Sequence, residues 1–338
     1  MQRALDETDQ RLLDEWQRDF PLCSYPFARI GEALGIGENE VLSRMKDLIG
    51  RGMISRIGGT IVPNIVSAST LAAVAVPDAR IEEVAALVSR ISGINHSYLR
   101  ENHWNLWFVA TGPDRAHVDE TLARIEAESG LMVLDLPLVR PFNIDLGFRL
   151  SGGLAGQGVR PAPADPAPDP ARIRLLEGDR AILQALSTGL EPVARPYDAL
   201  ARRLGREEAD VIGRIKAHLD MGVITRLGVI VRHRALGWRA NAMVVWDLAP
   251  GITADIGPRL AAVPGVTLCY ERRPVEGVWP YRLYNMIHGR SRDEALGVLE
   301  EARAAIPELT AAPHAVLFST RCFKQTGALI KPMKEAAE

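Results

Sequence analysis

The sequence predicts an α+β chain built as a tandem duplication, and three observations carry that expectation. A stretch rich in Gly, Ala and Pro, "SGGLAGQGVRPAPADPAPDPAR" at 151–172, lacks apolar periodicity and splits the 338 residues into near-equal halves. The segment "YPFARIGEALGIGENEVLSRMKDLIGRGMISRIGGTIVP" aligns without gaps on "RPYDALARRLGREEADVIGRIKAHLDMGVITRLGVIVRH". In both halves, apolar residues first recur at helical spacing and later mark out short strands between further helices. A repeat of this length implies two copies of one module, paired about a pseudo-twofold axis within the chain.

In the aligned segment Leu34, Gly35, Val41, Arg44, Gly52, Ile54, Arg56 and Gly58 match Leu204, Gly205, Val211, Arg214, Gly222, Ile224, Arg226 and Gly228. Residues 6–17, 27–34 and 39–51 have helical apolar spacing, with "GIG" as a turn between the second and third. The short wing "MISRIGGTIVP" follows, completing a winged helix-turn-helix pattern. Next come a strand in "TLAAVAVP", a helix at 80–91, strands at 94–101 and 104–111, a helix at 114–129 and a strand in "LMVLDLPLVR". That βαββαβ order predicts a ferredoxin-like sandwich, with helices on one face of an antiparallel sheet. The second half repeats it at 240–248, 253–262, 266–273, 281–288, 292–305 and 313–321. The expected domains are 1–66 and 67–150, the linker 151–172, then 173–238 and 239–330, with a tail at 331–338.

Composition excludes several classes. An apolar fraction of 47% and a charged fraction of 24% are those of an ordinary globular protein. No apolar run approaches the roughly 18 residues of a membrane span, and the start "MQRALDETDQ" has no apolar core of a secretory signal. Cys23, Cys269 and Cys322 are scattered and form no CxxC pair, so neither a zinc site nor a disulfide framework is expected. A reducing cytoplasm fits that usage. The net charge of −2 gives no global attraction to nucleic acid.

A winged helix-turn-helix raises the expectation of DNA reading, which needs basic and hydrogen-bonding side chains at the start of the recognition helix. Here that helix begins with Glu38 and Glu40, and its repeat with Glu207, Glu208 and Asp210. Acids suit the helix dipole but repel phosphates. Arg44, Lys46, Arg214 and Lys216 are diluted by them, so the sequence argues against DNA as a partner and for a packaging role.

A helix-turn-helix followed by βαββαβ resembles the Lrp/AsnC family of feast-famine regulators, over nearly the whole of both halves. The motifs "YLRENHWNLWF" and "LVRPFNIDLGF" in the first half, and "CYERRPVEGVWPYRLYNMIHG" and "STRCFKQTGALI" in the second, are similar to those of an enzymatic branch, the siroheme decarboxylases. Their tandem order resembles the fused form found in the haem d1 pathway of denitrifying bacteria. The resemblance implies a carboxy-lyase that removes the C12 and C18 ring acetates of siroheme as CO2, giving 12,18-didecarboxysiroheme. It implies no protein-bound cofactor, because the iron enters with the substrate. The alternatives are an Lrp/AsnC-type, tetrapyrrole-responsive transcription regulator, or a carrier that binds siroheme unchanged. Fusion makes the single chain a pseudo-dimer, and leaves open a homodimer of chains and contacts with other haem d1 pathway proteins.

A flat macrocycle ringed by carboxylates calls for cations and aromatic walls, with charge-assisted hydrogen bonds worth roughly 1.5–3 kcal/mol each. The motifs supply Tyr98, Arg100 and Arg140 in the first half. In the second they supply Tyr270, Arg272, Arg273, Trp279, Arg282, Tyr284, Asn285, Arg321 and Phe323. For any single arginine, solvation or pairing with an acid such as Glu101 or Glu271 is the plainer reading; the set, concentrated in corresponding segments, favours a ligand. The second half carries an insertion, "PVEGVWP", and places Lys324 where the first has Asn143. One productive site built mainly by the second half is therefore expected. Aligned across the insertion, His103 falls opposite Leu283 and Asn105 opposite Asn285.

Decarboxylation leaves a carbon that must take a proton, so a general acid is needed. His288, His103 and His96 are candidates because imidazole titrates near neutrality, with Tyr281 and Lys324 as alternatives. A histidine could equally ligate the iron. An arginine on a departing acetate would stabilise the ground state, since that charge leaves as neutral CO2. Arginines should therefore hold the retained carboxylates, and the reacting acetates should face a drier wall drawn from Trp279, Tyr281, Tyr284 and Phe323.

Overall fold

The computed structural model describes residues 4–143 and 173–331; the linker expected at 151–172 and all but Lys331 of the expected tail lie outside the described residues. The first half runs α1 (Glu7–Asp14), α2 (Pro26–Leu34), α3 (Glu38–Gly50), β1 (Ile54–Ile61), β2 (Ala68–Val74), α4 (Ile81–Arg90), β3 (Ile94–Arg100), β4 (Leu106–Gly112), α5 (Arg115–Ser129) and β5 (Val133–Asn143). The second runs α6 (Asp179–Thr188), α7 (Pro196–Leu204), α8 (Glu208–Asp220), β6 (Ile224–Val231), β7 (Ala240–Trp246), α9 (Thr253–Ala261), β8 (Val266–Arg272), β9 (Leu283–Gly289), α10 (Arg292–Ala305) and β10 (His314–Gln325). The predicted order of elements is present in both halves.

The chain divides into two compact units, one gathering both helix-turn-helix segments and the other both βαββαβ segments. In the first unit the expected wing takes a different form. β1 does not fold back within its own module but pairs antiparallel with β6, Gly58 opposite Gly228. Each strand also lies against the first helical segment of the other half. The amide of Leu190 donates to Ile57 O at 2.7 Å, and that of Val229 donates to Trp16 O at 2.7 Å. The two matched glycines allow this approach. A Cβ on Gly58 would stand 2.1 Å from Leu186 O, and one on Gly228 would stand 2.1 Å from Gln17 O.

The arginines of the third helices are held inside this unit, while Lys46 and Lys216 are exposed. Arg44 on α3 donates to Asp6, Asp9 and Glu40, while Arg214 on α8 donates to both carboxylate oxygens of buried Asp179. Glu208, at the start of α8, accepts from Ser24 of the other half and pairs with Arg195. Both arginines that a DNA reader would point at phosphates are thus engaged in internal ion pairs.

In the second unit the two sheets fuse into a closed eight-stranded barrel, in the order β10-β3-β4-β2-β5-β8-β9-β7. The sequence predicted two antiparallel sheets but not their closure. β5 and β10 make it. β5 pairs with β2 through Pro137 and then with β8 from Leu138 onward. β10 pairs with β7 through Phe318 and then with β3 from Ser319. Both strands extend past their predicted ends because the added residues belong to the other half's sheet.

Alternation along the strands divides the side chains between two cores. Ala72, Val74, Phe108 and Ala110 face outward, packing with Val84 and Val88 of α4 and Val118 and Ile125 of α5. Leu71, Ala73, Trp107, Leu134 and Leu136 face inward, meeting Met243, Val245, Tyr270, Tyr284, Met286 and Leu317 of the second half.

Gly58→Ala and Gly228→Ala are each expected to destabilise the first unit by about 1–3 kcal/mol through overpacking against backbone. Gly213→Ala, in α8 with nothing within 4 Å of the added carbon, should instead stabilise by up to about 1 kcal/mol. Thermal unfolding of the three variants checks both signs.

Candidate active site

The inward face of the barrel collects aromatic and cationic residues from both halves at pseudo-equivalent positions. Arg100 ends β3 and Arg272 ends β8. Each reaches across to a backbone carbonyl of the other half: Arg100 Nη1 donates to Leu317 O at 3.0 Å and Arg272 Nη1 to Leu136 O at 2.7 Å. Leu136 and Leu317 are themselves counterparts, on β5 and β10. The arginines are thus anchored by the same contact repeated about the pseudo-twofold.

Their surroundings differ. Arg272 lies over the Tyr270 ring, 4.6 Å from its centroid, and 6.0 Å from that of Tyr284. Tyr270 and Tyr284 stack on one another at 5.8 Å. Trp279, carried inward by the insertion, donates its indole N–H to Tyr284 Oη at 2.7 Å. It also packs on Trp107 at 5.2 Å and on Tyr281 at 4.7 Å. The insertion is a tight turn closed by Val275 and Trp279 backbone hydrogen bonds. Burial lowers the Arg272 pKa, and its Nε is buried without an acceptor among the described residues. Arg272 as a whole is half-buried, and its guanidinium also interacts with the Tyr270 side chain.

Arg100, only 6% exposed, sits in a hydrogen-bonded chain instead. Its Nη1 donates to Asn241 Oδ1 at 3.1 Å. Asn241 Nδ2 is 2.8 Å from His288 Nε2, and His288 Nδ1 is 2.8 Å from Thr267 Oγ1. Thr267 in turn donates to Met286 O at 3.0 Å. Asn241 and His288 are directly paired across β7 and β9, so both point inward. The Arg100 guanidinium also lies 5.6 Å from the Tyr98 ring centroid, and His96 stacks on Tyr98.

The other predicted residues go elsewhere. Lys324 points to the helical side, where Nζ donates to Ser89 O at 2.9 Å and Ile91 O at 2.8 Å, capping the C-terminal end of α4. Desolvation lowers its pKa. Arg321 is exposed on that side, paired with Glu82 of α4 and stacked on Phe323. Phe323 packs against the outer core of the first half. The crossover of β10 explains all three: its last residues are laid on the other half's sheet, beside that half's helix. Asn285 is buried on the outward face and accepts from Trp246 Nε1 at 2.8 Å. His103 is exposed at the β3–β4 turn against the edge of Trp104. Arg140 and Arg273 are exposed, and Arg282 and Tyr281 are half-buried.

Register also corrects the alignment across the insertion. Tyr98 pairs with Trp107 and Tyr270 with Tyr284, so Leu283 corresponds to Leu106, and His288 to Thr111. Asn105 is not the counterpart of Asn285; it clamps the backbone of Val76, accepting from its N–H and donating to its carbonyl. Asn241 and Thr267 lie outside the motifs that the sequence singles out. The signal for Asn241 was there: in "ANAMVVW" it occupies the inward phase shared by Met243 and Val245.

Comparison with known proteins bears on this arrangement. The AsnC-like ligand binding domain model matches residues 66–143 and 235–324, and a siroheme decarboxylase NirDL-like HTH domain model matches 9–54 and 179–224. The siroheme decarboxylase NirDL subunit of Paracoccus denitrificans is 55% identical over 97% of this chain and 98% of its own length. The chain belongs to the siroheme decarboxylase family. A crystal structure of the siroheme decarboxylase NirDL superposes with a TM-score of 0.66 at 25% identity, covering 95% of this chain and 94% of that one. A second, of NirDL in co-complex with an iron-uroporphyrin III analogue, superposes at 0.65 with 25% identity, covering 95% and 93%. Family membership fits the fused, pseudo-symmetric barrel. Among the described residues no helix is long and apolar enough to cross a membrane, and no cluster of His, Cys, Asp or Glu is grouped to hold a metal ion.

Lys324→Met should cost roughly 0.3–2 kcal/mol, the worth of a cation at a helix C-terminus. Denaturant unfolding measures it, and a larger loss would mean that Lys324 does more than cap α4.

Proposed function

We propose that this chain is a carboxy-lyase that decarboxylates siroheme, removing the C12 and C18 acetates as CO2 to give 12,18-didecarboxysiroheme for haem d1 synthesis. The observation that carries the reading is the pair of anchored arginines, one from each half, inside a barrel walled by Tyr98, Tyr270, Tyr284, Trp107 and Trp279. It is supported by the iron-uroporphyrin III analogue held by a structural relative. In this reading Arg272, through its unmet Nε, and Arg100 hold carboxylates that the product keeps. The acetates that react lie against the aromatic wall, where loss of charge as CO2 is favoured by a dry surrounding. No protein-bound cofactor is invoked; the iron comes with siroheme.

His288 belongs to this centre by its bond chain to Arg100, and Tyr281 by its contact with Trp279. Lys324, on the opposite face of the sheet, drops out as a proton donor. The three widely spaced cysteines, with no CxxC pair, support a cytoplasmic setting. The internal pairing of Arg44, Arg214 and Glu208 weighs against the regulator alternative.

Anaerobic incubation of the purified chain with siroheme, followed by mass spectrometry, should show a pigment lighter by two CO2. Unchanged siroheme would sink the proposal. Arg100→Lys and Arg272→Lys should each weaken siroheme binding about tenfold or more, because lysine cannot supply the planar donor fork. Lys324→Met should convert siroheme as the parent chain does. Titrating siroheme absorbance against each variant reads the affinities.

A further inference from the structure

The bond chain through Asn241 has a direction that residue chemistry dictates. A guanidinium only donates, so the atom of Asn241 facing Arg100 must be the carbonyl oxygen. The amide nitrogen is thereby turned to His288 Nε2, 2.8 Å away. An amide nitrogen only donates as well, so Nε2 must be the acceptor. The imidazole proton is left on Nδ1, where Thr267 Oγ1 stands 2.8 Å away to accept it. The Thr267 hydroxyl passes its own hydrogen to Met286 O at 3.0 Å. Every link agrees with one assignment, and all four side chains are buried.

We propose that Asn241 is a positioning residue which, locked by Arg100 from the other half, holds His288 as the neutral tautomer protonated on Nδ1. The proposal rests on the reading that His288 works in the decarboxylation centre. Imidazole tautomers are set by the bond made at the opposite nitrogen. Here that bond originates in a residue of the first half, so orientation of the second half's histidine depends on correct pairing of the halves. In the first half Ser69 and Thr111 stand, directly paired, where Asn241 and His288 stand in the second.

The experiment is a long-range 1H–15N correlation on the full chain labelled at histidine ring nitrogens, assigned with a His288→Gln variant. In the parent chain the His288 signals should be those of the Nδ1–H form. Asn241→Asp keeps an acceptor for Arg100 but places an oxygen against Nε2, so a proton should appear on Nε2. Thr267→Val removes the acceptor at Nδ1 yet leaves Asn241 in place, so the proton should stay on Nδ1. Asn241→Asp should also lower kcat for siroheme by roughly a hundredfold, the lower end of what a positioned general acid supplies, with KM changed less than about threefold.

An Nε2–H form in the parent chain overturns the proposal without any variant having to fold. So does a tautomer that follows Thr267→Val, that ignores Asn241→Asp, or an Asn241→Asp chain with undiminished kcat. If His288→Gln converts siroheme at the full rate, Asn241 has no part in the reaction and the proposal falls, while the decarboxylase function stands.

Discussion

Closure of the strand ring is the constraint on which the rest depends. A four-stranded ferredoxin-like sheet has two edges whose backbone groups need partners. Each half supplies one strand, β5 or β10, long enough to serve its own sheet first and the other half's sheet afterwards. Backbone bonding at the two seams converts four edges into none. Because the seams bring β3 beside β10 and β5 beside β8, the last residue of β3 lies where it can bind Leu317 O, and that of β8 where it can bind Leu136 O. Without closure neither arginine would have its anchor, and the inward aromatics would face water.

The helix-turn-helix unit follows the same rule at closer range. Its strands exchange across the pseudo-twofold and touch helical backbone of the opposite half, at a distance only glycine permits. The unit also ties Arg44 and Arg214 into buried carboxylates, where they neutralise Asp9 and Asp179.

Much of the fold was legible in the sequence because local rules decide it. Helical spacing, the turn glycines and the alternation of strand residues placed nearly every element within a few positions. Closure was not legible, since nothing in "LPLVRPFN" or "LFSTRCFK" announces that a strand changes sheets midway. That switch also misled the reading of the site: Arg321, Phe323 and Lys324 sit in a motif of the right composition but emerge on the helical side. Arg100, Arg272, Tyr98, Tyr270, Tyr284 and Trp279 came out together, being at hairpin ends where inward phase survives. Asn241 and Thr267 were overlooked because a single polar residue in an apolar strand carries little weight until its partners are known.

Covalent joining of the halves has a consequence for how such a centre can change. In a homodimer every substitution is written twice, so an imidazole placed at one position of the ring would be mirrored at its counterpart. Here the counterpart of His288 is Thr111, whose hydroxyl donates to Gly93 O and accepts from the Leu329 amide. One copy of the module is free to acquire chemistry while the other keeps the scaffold. The duplicated arginine anchor then serves as a fixed reference against which a single-copy residue can be placed.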